Sequence, residues 1–443
     1  MPERTLGAAS SIAYVLKAYP RLSETYILSE IYRLEQIGLH LRLYSINPVE
    51  AAERGPRHQV LDRIRATPTY LPPLTSVSGV SLPAWLQINL GRVAAPLWRT
   101  ARRWPLGTAR AALAAFAQAF RARPTRWSAP RKVYFKELLQ AVALSDRLRE
   151  APDVRHLHAH YAHGATTVAW LASTITGLPF SFTAHAKDVY SESLNPAGLL
   201  RRKLLRARFA VTCTAAGGEH LRRIAPEARV EVIYHGLTED LRELVERDLR
   251  PVPRNGRIRL LGVGRLVEKK GFDTLVEACA LLRRNGIAFE ATIAGPDGPH
   301  GGAVRERISA LGLEESVRLT GAMSQAQLFE EYRRADAFCL PCRVVGSDRD
   351  GIPNVLVEAM ACGTPVVATR ISGIPELVTD GLDGVLVAPE DASAIAAALE
   401  RISADQDLAA RMSAAARTTV RERFDGERLT RRLADLFVSE VGA

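Results

Sequence analysis

Short, nearly continuous apolar runs alternate with amphipathic segments along most of this chain. Ser11 to Leu16 (SIAYVL) reads as a first strand. Ile27, Ile31 and Leu34 then fall at helical spacing within Glu24 to Gln36, with Ser23 placed to cap that helix and Gly38 to end it. LHLRLYSI alternates as a second strand. The same rhythm resumes at VRHLHAHYA, PFSFTAHAKDVY and ARFAVTCTAAGGEHL, and VEVIYHG reads as one more strand. A charged, Pro-bearing stretch from Thr238 to Asn255 reads as an interdomain linker. RIRLLGVGRLVEKKG opens a second such region, and Asp405 to Val438 is helical and charged. Strands that alternate with helices predict parallel sheets covered on both faces.

A chain of 443 residues is long for one core and suits two domains of about 200 residues each. The pattern divides it into 1–237, a linker at 238–255, a second α/β domain at 256–415 and a C-terminal helix at 416–443. The five cysteines (Cys213, Cys279, Cys339, Cys342, Cys362) are odd in number and sit in apolar runs. They imply a reducing compartment and buried thiols rather than a disulfide framework. Cys339 and Cys342 form a C-x-x-C without a second ligand pair nearby, which argues against a structural zinc. The start, MPERTLGAAS, lacks the charged-then-apolar pattern of a signal peptide, and no run of about 18 apolar residues is present. A cytoplasmic protein is expected.

Charge changes this picture once it is located. The net charge is +11, and 13 Lys or Arg lie between Arg63 and Lys136 without one Asp or Glu, leaving the rest of the chain at −2. The same segment holds Trp85, Trp98, Trp104 and Trp127, four of the five tryptophans. GRVAAPLWRTARRW and ARAALAAFAQAFRAR can both form amphipathic helices. Basic residues interleaved with Trp, Leu and Ala suit a peripheral face on an anionic membrane. The plain alternative is a solvated helical subdomain. A nucleic-acid partner is not expected, because no zinc finger, RNA-binding aromatic motif or recognition helix is present.

The richest chemistry lies at residues 347–378, SDRDGIPNVLVEAMACGTPVVATRISGIPELV. An acidic loop (Asp348, Asp350) runs through Gly351, Ile352 and Pro353 into a short helix, with Asn354 as its expected N-cap and Cys362-Gly363 at its end. A buried strand (365–368), a turn at Ser372-Gly373 and a second helix follow. Free N–H groups and the dipole at a helix N-terminus suit a phosphate. Asp350 and Glu358 bracket the turn, with seven residues between them. Such a set can satisfy diphosphate, ribose and sugar hydroxyls together.

This stretch resembles the signature of the retaining family 4, or group 1, glycosyltransferases, which carry an acid, seven residues and a Glu. Asp350 stands where Glu is usual, one methylene shorter. The phrase YPRLSETYILSEIYRLEQIG resembles the colanic-acid and amylovoran branch of exopolysaccharide enzymes, although the glycine-rich loop common in the family is missing after the first strand. The resemblance implies the GT-B fold: two Rossmann-like α/β domains facing across a cleft, here with a helical basic insertion (about 63–136) in the first. It further implies transfer of a sugar, with retention, from a nucleoside-diphosphate sugar to a glycan or lipid-linked saccharide acceptor, without a cofactor.

Roles are carried over residue by residue. Gly262, Gly264, Arg265 and Lys270 open the second domain, and Arg265 and Lys270 are implied to neutralise the diphosphate leaving group. A dinucleotide fingerprint fails at Val267. Asp350 and the backbone of Gly351, Ile352, Pro353 and Asn354 are implied to hold the donor, and Glu358 the ribose. The base is expected near Arg318 to Gly321. In the first domain, His185 in FTAHAKD is implied to contact the donor sugar beside the Ala184 carbonyl, with Asp188 orienting the acceptor or His185. His235-Gly236 falls at a hinge turn. His156, His158 and His160 project to one face of a strand, where packing is the plainer reading than a metal, and His160 and His163 lie at its end. Asp348-Arg349-Asp350 spells a D-x-D, but it lies late and merges into the helix, so no metal is expected. Two alternatives stay open: a sugar-nucleotide sensor without transfer, and another GT-B enzyme such as a phosphorylase or epimerase.

Overall fold

The computed structural model describes residues 10–21, 24–48, 59–247 and 257–441. They form two compact α/β units. The first runs to Ile233, apart from Thr214–Ala216, and takes in the chain again from Thr430. The second holds Thr214–Ala216 and Tyr234–Leu429.

The first unit is built on seven parallel strands: β1 (Ser11–Ala18), β2 (His40–Asn47), β3 (Pro68–Tyr70), β4 (Val154–His160), β5 (Phe180–Ala184), β6 (Ala210–Thr212) and β7 (Val230–Val232). Their order is β3-β2-β1-β4-β5-β6-β7. The apolar runs become central strands because helices cover both faces: Ile12 to Val15 and Phe180 to Ala184 are buried throughout. Each large apolar side chain among them, such as Ile12, Val15, Phe180 and Phe182, contributes roughly 1.5–3 kcal/mol by leaving water. The order reverses between β1 and β4, which makes a topological switch point at their carboxyl ends.

The second unit repeats the plan with six parallel strands: β8 (Ile258–Val263), β9 (Phe289–Ala294), β10 (Val317–Gly321), β11 (Ala337–Leu340), β12 (Val366–Thr369) and β13 (Val385–Val387). The order β10-β9-β8-β11-β12-β13 puts its switch point between β8 and β11.

The basic segment is largely helical, over Leu82–Arg103, Pro105–Arg121 and the start of Val133–Arg149. Pro105 cannot donate to the preceding helix, so it ends one helix and begins the next. Trp85 is fully buried with Leu74, Val93 and Leu139, and Ala111, Ala115 and Ala119 face the main core. The tryptophans therefore divide. Trp85 is core, whereas Trp98 and Trp127 are 63% and 90% exposed. Among the described residues no helix is long and apolar enough to cross a membrane.

The structure departs from the expected linker here. The stretch expected to be a linker contains a helix, Glu239–Arg247, and its Leu241 is buried in the core of the second unit. The remainder, 248–255, lies outside the described residues, as does Ser23. At the other end, the helix Gly426–Val441 carries Phe437 onto the histidine face of β4, with ring centroids 5.0 Å from His158 and 5.9 Å from His156.

Candidate active site

In the second unit the chemistry gathers at the switch point. The loop leaving β8 holds Gly264 (φ 158°), and a Cβ there would lie 3.1 Å from the stem of Lys270. Glycine thus lets the lysine stem fold across the strand end. From the other side, the segment leaving β11 brings Asp348 and Asp350. The Lys270 ammonium lies 2.7 Å from Asp350, and Lys269 spans Asp350 at 3.1 Å and Asp348 at 3.0 Å. Cys342 directs its thiol at Asp350 from 3.7 Å. Burial would raise the Asp350 carboxyl, but Lys270 and then Lys269 outweigh it and hold the group at about 2. Burial likewise pushes the Cys342 thiol up to about 12, which leaves it a proton to donate. Arg265 is exposed and forms no ion pair among the described residues.

The segment Gly351 to Pro353 leads into a helix at Asn354–Ala361. Its N-cap is Pro353, and no side chain caps it, so the reading of Asn354 as N-cap is corrected: Asn354 is the first helical residue. The physical reason is local. Proline at φ −64° and ψ 124° already sits in the extended conformation that an N-cap needs. Cys362 and Gly363 (φ 77°) end the helix as expected. Glu358, one turn in, is buried and accepts a hydrogen bond from Tyr332 at 2.9 Å. Arg318 to Gly321 fall on β10, at the sheet edge. Gly236 packs on Gly426 so closely that a Cβ would meet its Cα at 2.3 Å.

In the first unit, His185 follows β5 and caps a short helix, Ala186–Tyr190. Its amide donates to Asp188 Oδ1 at 2.7 Å, and the Ala162 amide donates to Asp188 Oδ2 at 2.6 Å. Asp188 thus clamps the ends of β4 and β5 together. The His185 ring lies among Tyr161, Tyr26 and His160, with centroids at 4.5, 5.2 and 5.6 Å. Tyr161 adopts φ 72°, uncommon for a bulky residue, and its hydroxyl meets that of Tyr26 at 2.7 Å. His156, His158 and His160 are buried. Ser181 Oγ lies 2.7 Å from His156 and 2.8 Å from His158, and Thr183 lies 3.1 Å from the other His158 nitrogen. The ligand atoms of Glu30, His158 and His160 lie within 4.8 Å of one another. However, both His158 nitrogens are already engaged by hydroxyls, which favours packing over coordination. His163 lies 3.5 Å from Asp188.

The structure therefore joins Gly264, Lys270 and Asp350 at one strand-end cluster, with Gly351 to Pro353 leading into the adjoining helix that carries Asn354 and Glu358. His185 and Asp188 belong together in the other unit. Sequence reading missed Lys269, Cys342, Tyr332, Tyr26 and Glu30. Lys269 had one signal, its place beside Lys270; the others meet the site only through tertiary packing.

Comparison with known proteins agrees with this geometry. Residues 247–419 match the family described as Glycosyl transferases group 1, and residues 102–241 match Glycosyltransferase Family 4. The chain is 28% identical over 439 residues to the amylovoran biosynthesis glycosyltransferase AmsK of Erwinia amylovora, covering 96% of this chain and 98% of that one. It is 40% identical over 182 residues to WcaL of Escherichia coli K12, named for colanic acid biosynthesis, covering 40% of this chain and 44% of that one. Among solved structures, sucrose-phosphate synthase from Thermosynechococcus elongatus aligns with a TM-score of 0.67 at 19% identity, over 97% of this chain and 98% of that one. Anabaena HepE in complex with UDP and glucose aligns at 0.66 and 17%, over 97% and 100%. The chain thus carries a glycosyltransferase family 4 region followed by a glycosyltransferase group 1 region, and it has the GT-B fold of its structural neighbours.

Proposed function

We propose that this chain is a metal-independent, retaining glycosyltransferase. It moves a sugar from a nucleoside-diphosphate sugar to a lipid-linked or polysaccharide-repeat acceptor in exopolysaccharide synthesis. The observation that carries this reading is the cluster of Lys270, Asp350 and the Asn354–Ala361 helix N-terminus at the switch point, where open α/β sheets bind ligands. The names of AmsK and WcaL, for amylovoran and colanic acid, support the polymer class.

In this reading Arg265 and Lys270 take the diphosphate, Asp350 and the amides from Gly351 onward take sugar hydroxyls, and Glu358 takes ribose hydroxyls. As the anomeric bond breaks, charge grows on the leaving diphosphate, and the lysine already held at the strand end stabilises it without reorganising. The acceptor hydroxyl attacks from the face the diphosphate leaves and passes its proton to that diphosphate. No enzyme nucleophile forms a covalent bond. His185 and Asp188 serve the reacting sugar and the acceptor from the first unit, which holds the acceptor.

The basic helical segment serves as a peripheral membrane face on the inner side of the cell membrane, where a lipid-linked acceptor would be met. Its support is the exposed set Trp98, Leu106, Leu113, Phe116 and Trp127, with Arg102 and Arg126 stacked on Trp98 and Trp127.

The test is a thermal-shift panel of nucleotides and nucleotide sugars, with and without EDTA, followed by product analysis. A selective shift by one nucleotide sugar, unchanged by EDTA and lost in Glu358→Ala, supports the reading. If the folded protein responds to no nucleotide, the donor site is wrong.

A further inference from the structure

We propose that Glu30 is a positioning residue: acting through His160, it holds His185 as the neutral tautomer that carries its proton on Nε2. The inference deepens the transferase reading and rests on it for its functional consequence.

Three buried or half-buried groups form a line. Glu30, on the helix Thr25–Gln36, places Oε1 3.0 Å from His160 Nε2. His160 Nδ1 lies 3.3 Å from His185 Nε2. The chemistry of the partners orders the protons. An ionised carboxylate only accepts, so His160 Nε2 must carry a hydrogen. The other nitrogen of a neutral imidazole is then a bare acceptor, so the proton shared with His185 must come from His185 Nε2. The lone pair of His185 is left on Nδ1. A carboxylate at one end thus sets the tautomer of a ring two residues away, as second-layer carboxylates do for working histidines elsewhere.

The surroundings support this order. The Tyr14 hydroxyl donates to the same Glu30 oxygen at 2.9 Å, and burial and Glu30 keep that phenol protonated. A second donor at Oε1 is what an ionised Glu30 requires. His158, the neighbouring imidazole, is occupied by Ser181 and Thr183 and does not compete for His160. Asp188 is committed to the amides of Ala162 and His185, with His163 at 3.5 Å. The Tyr26 and Tyr161 hydroxyls face each other, and burial keeps both protonated. Lys203 donates to the Ala162 carbonyl at 2.8 Å and to Asn195 Oδ1 at 2.9 Å, and burial lowers its ammonium against the attraction of Glu137. None of these contacts reverses the direction of the line.

The test is nitrogen-15 spectroscopy of the full chain labelled at histidine, between pH 6 and 8, with His160→Gln and His185→Asn used for assignment. The expected spectrum has a single Nε2–H tautomer at both His160 and His185. Glu30→Ala, which removes the acceptor, should convert His185 to a mixture or to the Nδ1–H form, whereas Glu30→Gln, whose amide oxygen can still accept from His160 and Tyr14, should keep the wild-type tautomer. If the His185 tautomer is the same in the wild type and in Glu30→Ala, or if wild-type His160 is doubly protonated, the proposal is overturned. A kinetic arm uses whichever nucleotide sugar the thermal-shift panel selects. Glu30→Ala should lower kcat about tenfold to a hundredfold, Glu30→Gln should restore most of it, and both should leave the thermal shift by free nucleotide unchanged, because nucleotide-binding residues are assigned to the other unit. An unchanged kcat overturns the functional half. If the wild type turns over no nucleotide sugar, the transferase reading fails, and the spectra alone still decide whether Glu30 sets the tautomer.

Discussion

The ammonium of Lys270 lies 2.7 Å from a carboxylate oxygen of Asp350, which stands 80 positions further along the chain. The cation assigned to the diphosphate and the acid assigned to the sugar are thus one ion pair. Asp350 has two lysine partners, whereas Lys270 pairs with Asp350 alone among the described residues. Asp350→Ala strands the Lys270 ammonium and leaves Lys269 with Asp348 alone, and should cost about 3 kcal/mol in urea unfolding. Lys270→Ala leaves Asp350 paired with Lys269 and should cost about 1 kcal/mol. Equal losses would show that the pairs do not stabilise the fold in this order.

The same pair should give stability an acid dependence. The Asp350 carboxyl is held at about 2 in the folded chain, below the ordinary value of about 3.9. A depressed acid stabilises above its unfolded value and loses that contribution as pH falls through its folded one. Between about pH 4 and pH 2 the wild type should therefore lose on the order of 2 kcal/mol more than Asp350→Asn does. Denaturant unfolding of both proteins across that window gives the difference; parallel curves would refute the assignment.

A second pair of buried titratable groups makes a separate test. In the first unit burial raises the Glu137 carboxyl to about 7 and lowers the Lys203 ammonium to about 8, each opposed by the other's charge, and one Glu137 oxygen has no hydrogen-bond partner among the described residues. Removing one charge should cost more than removing both. Lys203→Met should destabilise by about 3–5 kcal/mol, and adding Glu137→Gln should recover a large part of it. The measurement is a double-mutant cycle in urea, and additive losses would mean that the two groups do not interact.

How much of this could be read from the chain depends on the range of the interaction involved. β1, β4, β5, β8 and β12 were legible because a strand buried on both faces leaves a continuous apolar run in the sequence. The end of the helix at Cys362-Gly363 was legible because a left-handed cap leaves a glycine. The pairing of Lys270 with Asp350 was not legible, since it depends on β8 and β11 becoming neighbours although two strands intervene in sequence. The tie between Glu30 and His160 spans 130 positions and joins a helix to a strand that is adjacent only in the folded sheet. The helix at Glu239–Arg247 was hidden by its charge: the segment reads as solvated, and only Leu241 and a few neighbours anchor it. Pro353 displaced Asn354 as cap because backbone conformation outweighed side-chain preference.

The basic helical segment yields the last expected outcome. Trp98, Leu106, Leu113 and Trp127 are more than half exposed, and Arg102 and Arg126 stack on Trp98 and Trp127 at 5.4 and 5.7 Å. Guanidinium groups on indole faces keep their charge at the surface while the ring remains available to an apolar phase. An anionic bilayer answers both features, since each arginine near such a surface is worth about 1 kcal/mol. In co-sedimentation, vesicles containing phosphatidylglycerol should retain the protein and phosphatidylcholine vesicles should not, with retention falling as salt rises. Trp98→Ala with Trp127→Ala should weaken retention at every salt concentration. Arg102→Glu with Arg126→Glu should abolish the preference for the anionic vesicles. These four positions lie in the basic segment and belong to neither of the clusters assigned to the reaction, so nucleotide-sugar hydrolysis by the variants in detergent should match the wild type. Equal retention on both vesicle types would show that charge does not direct this face to a membrane.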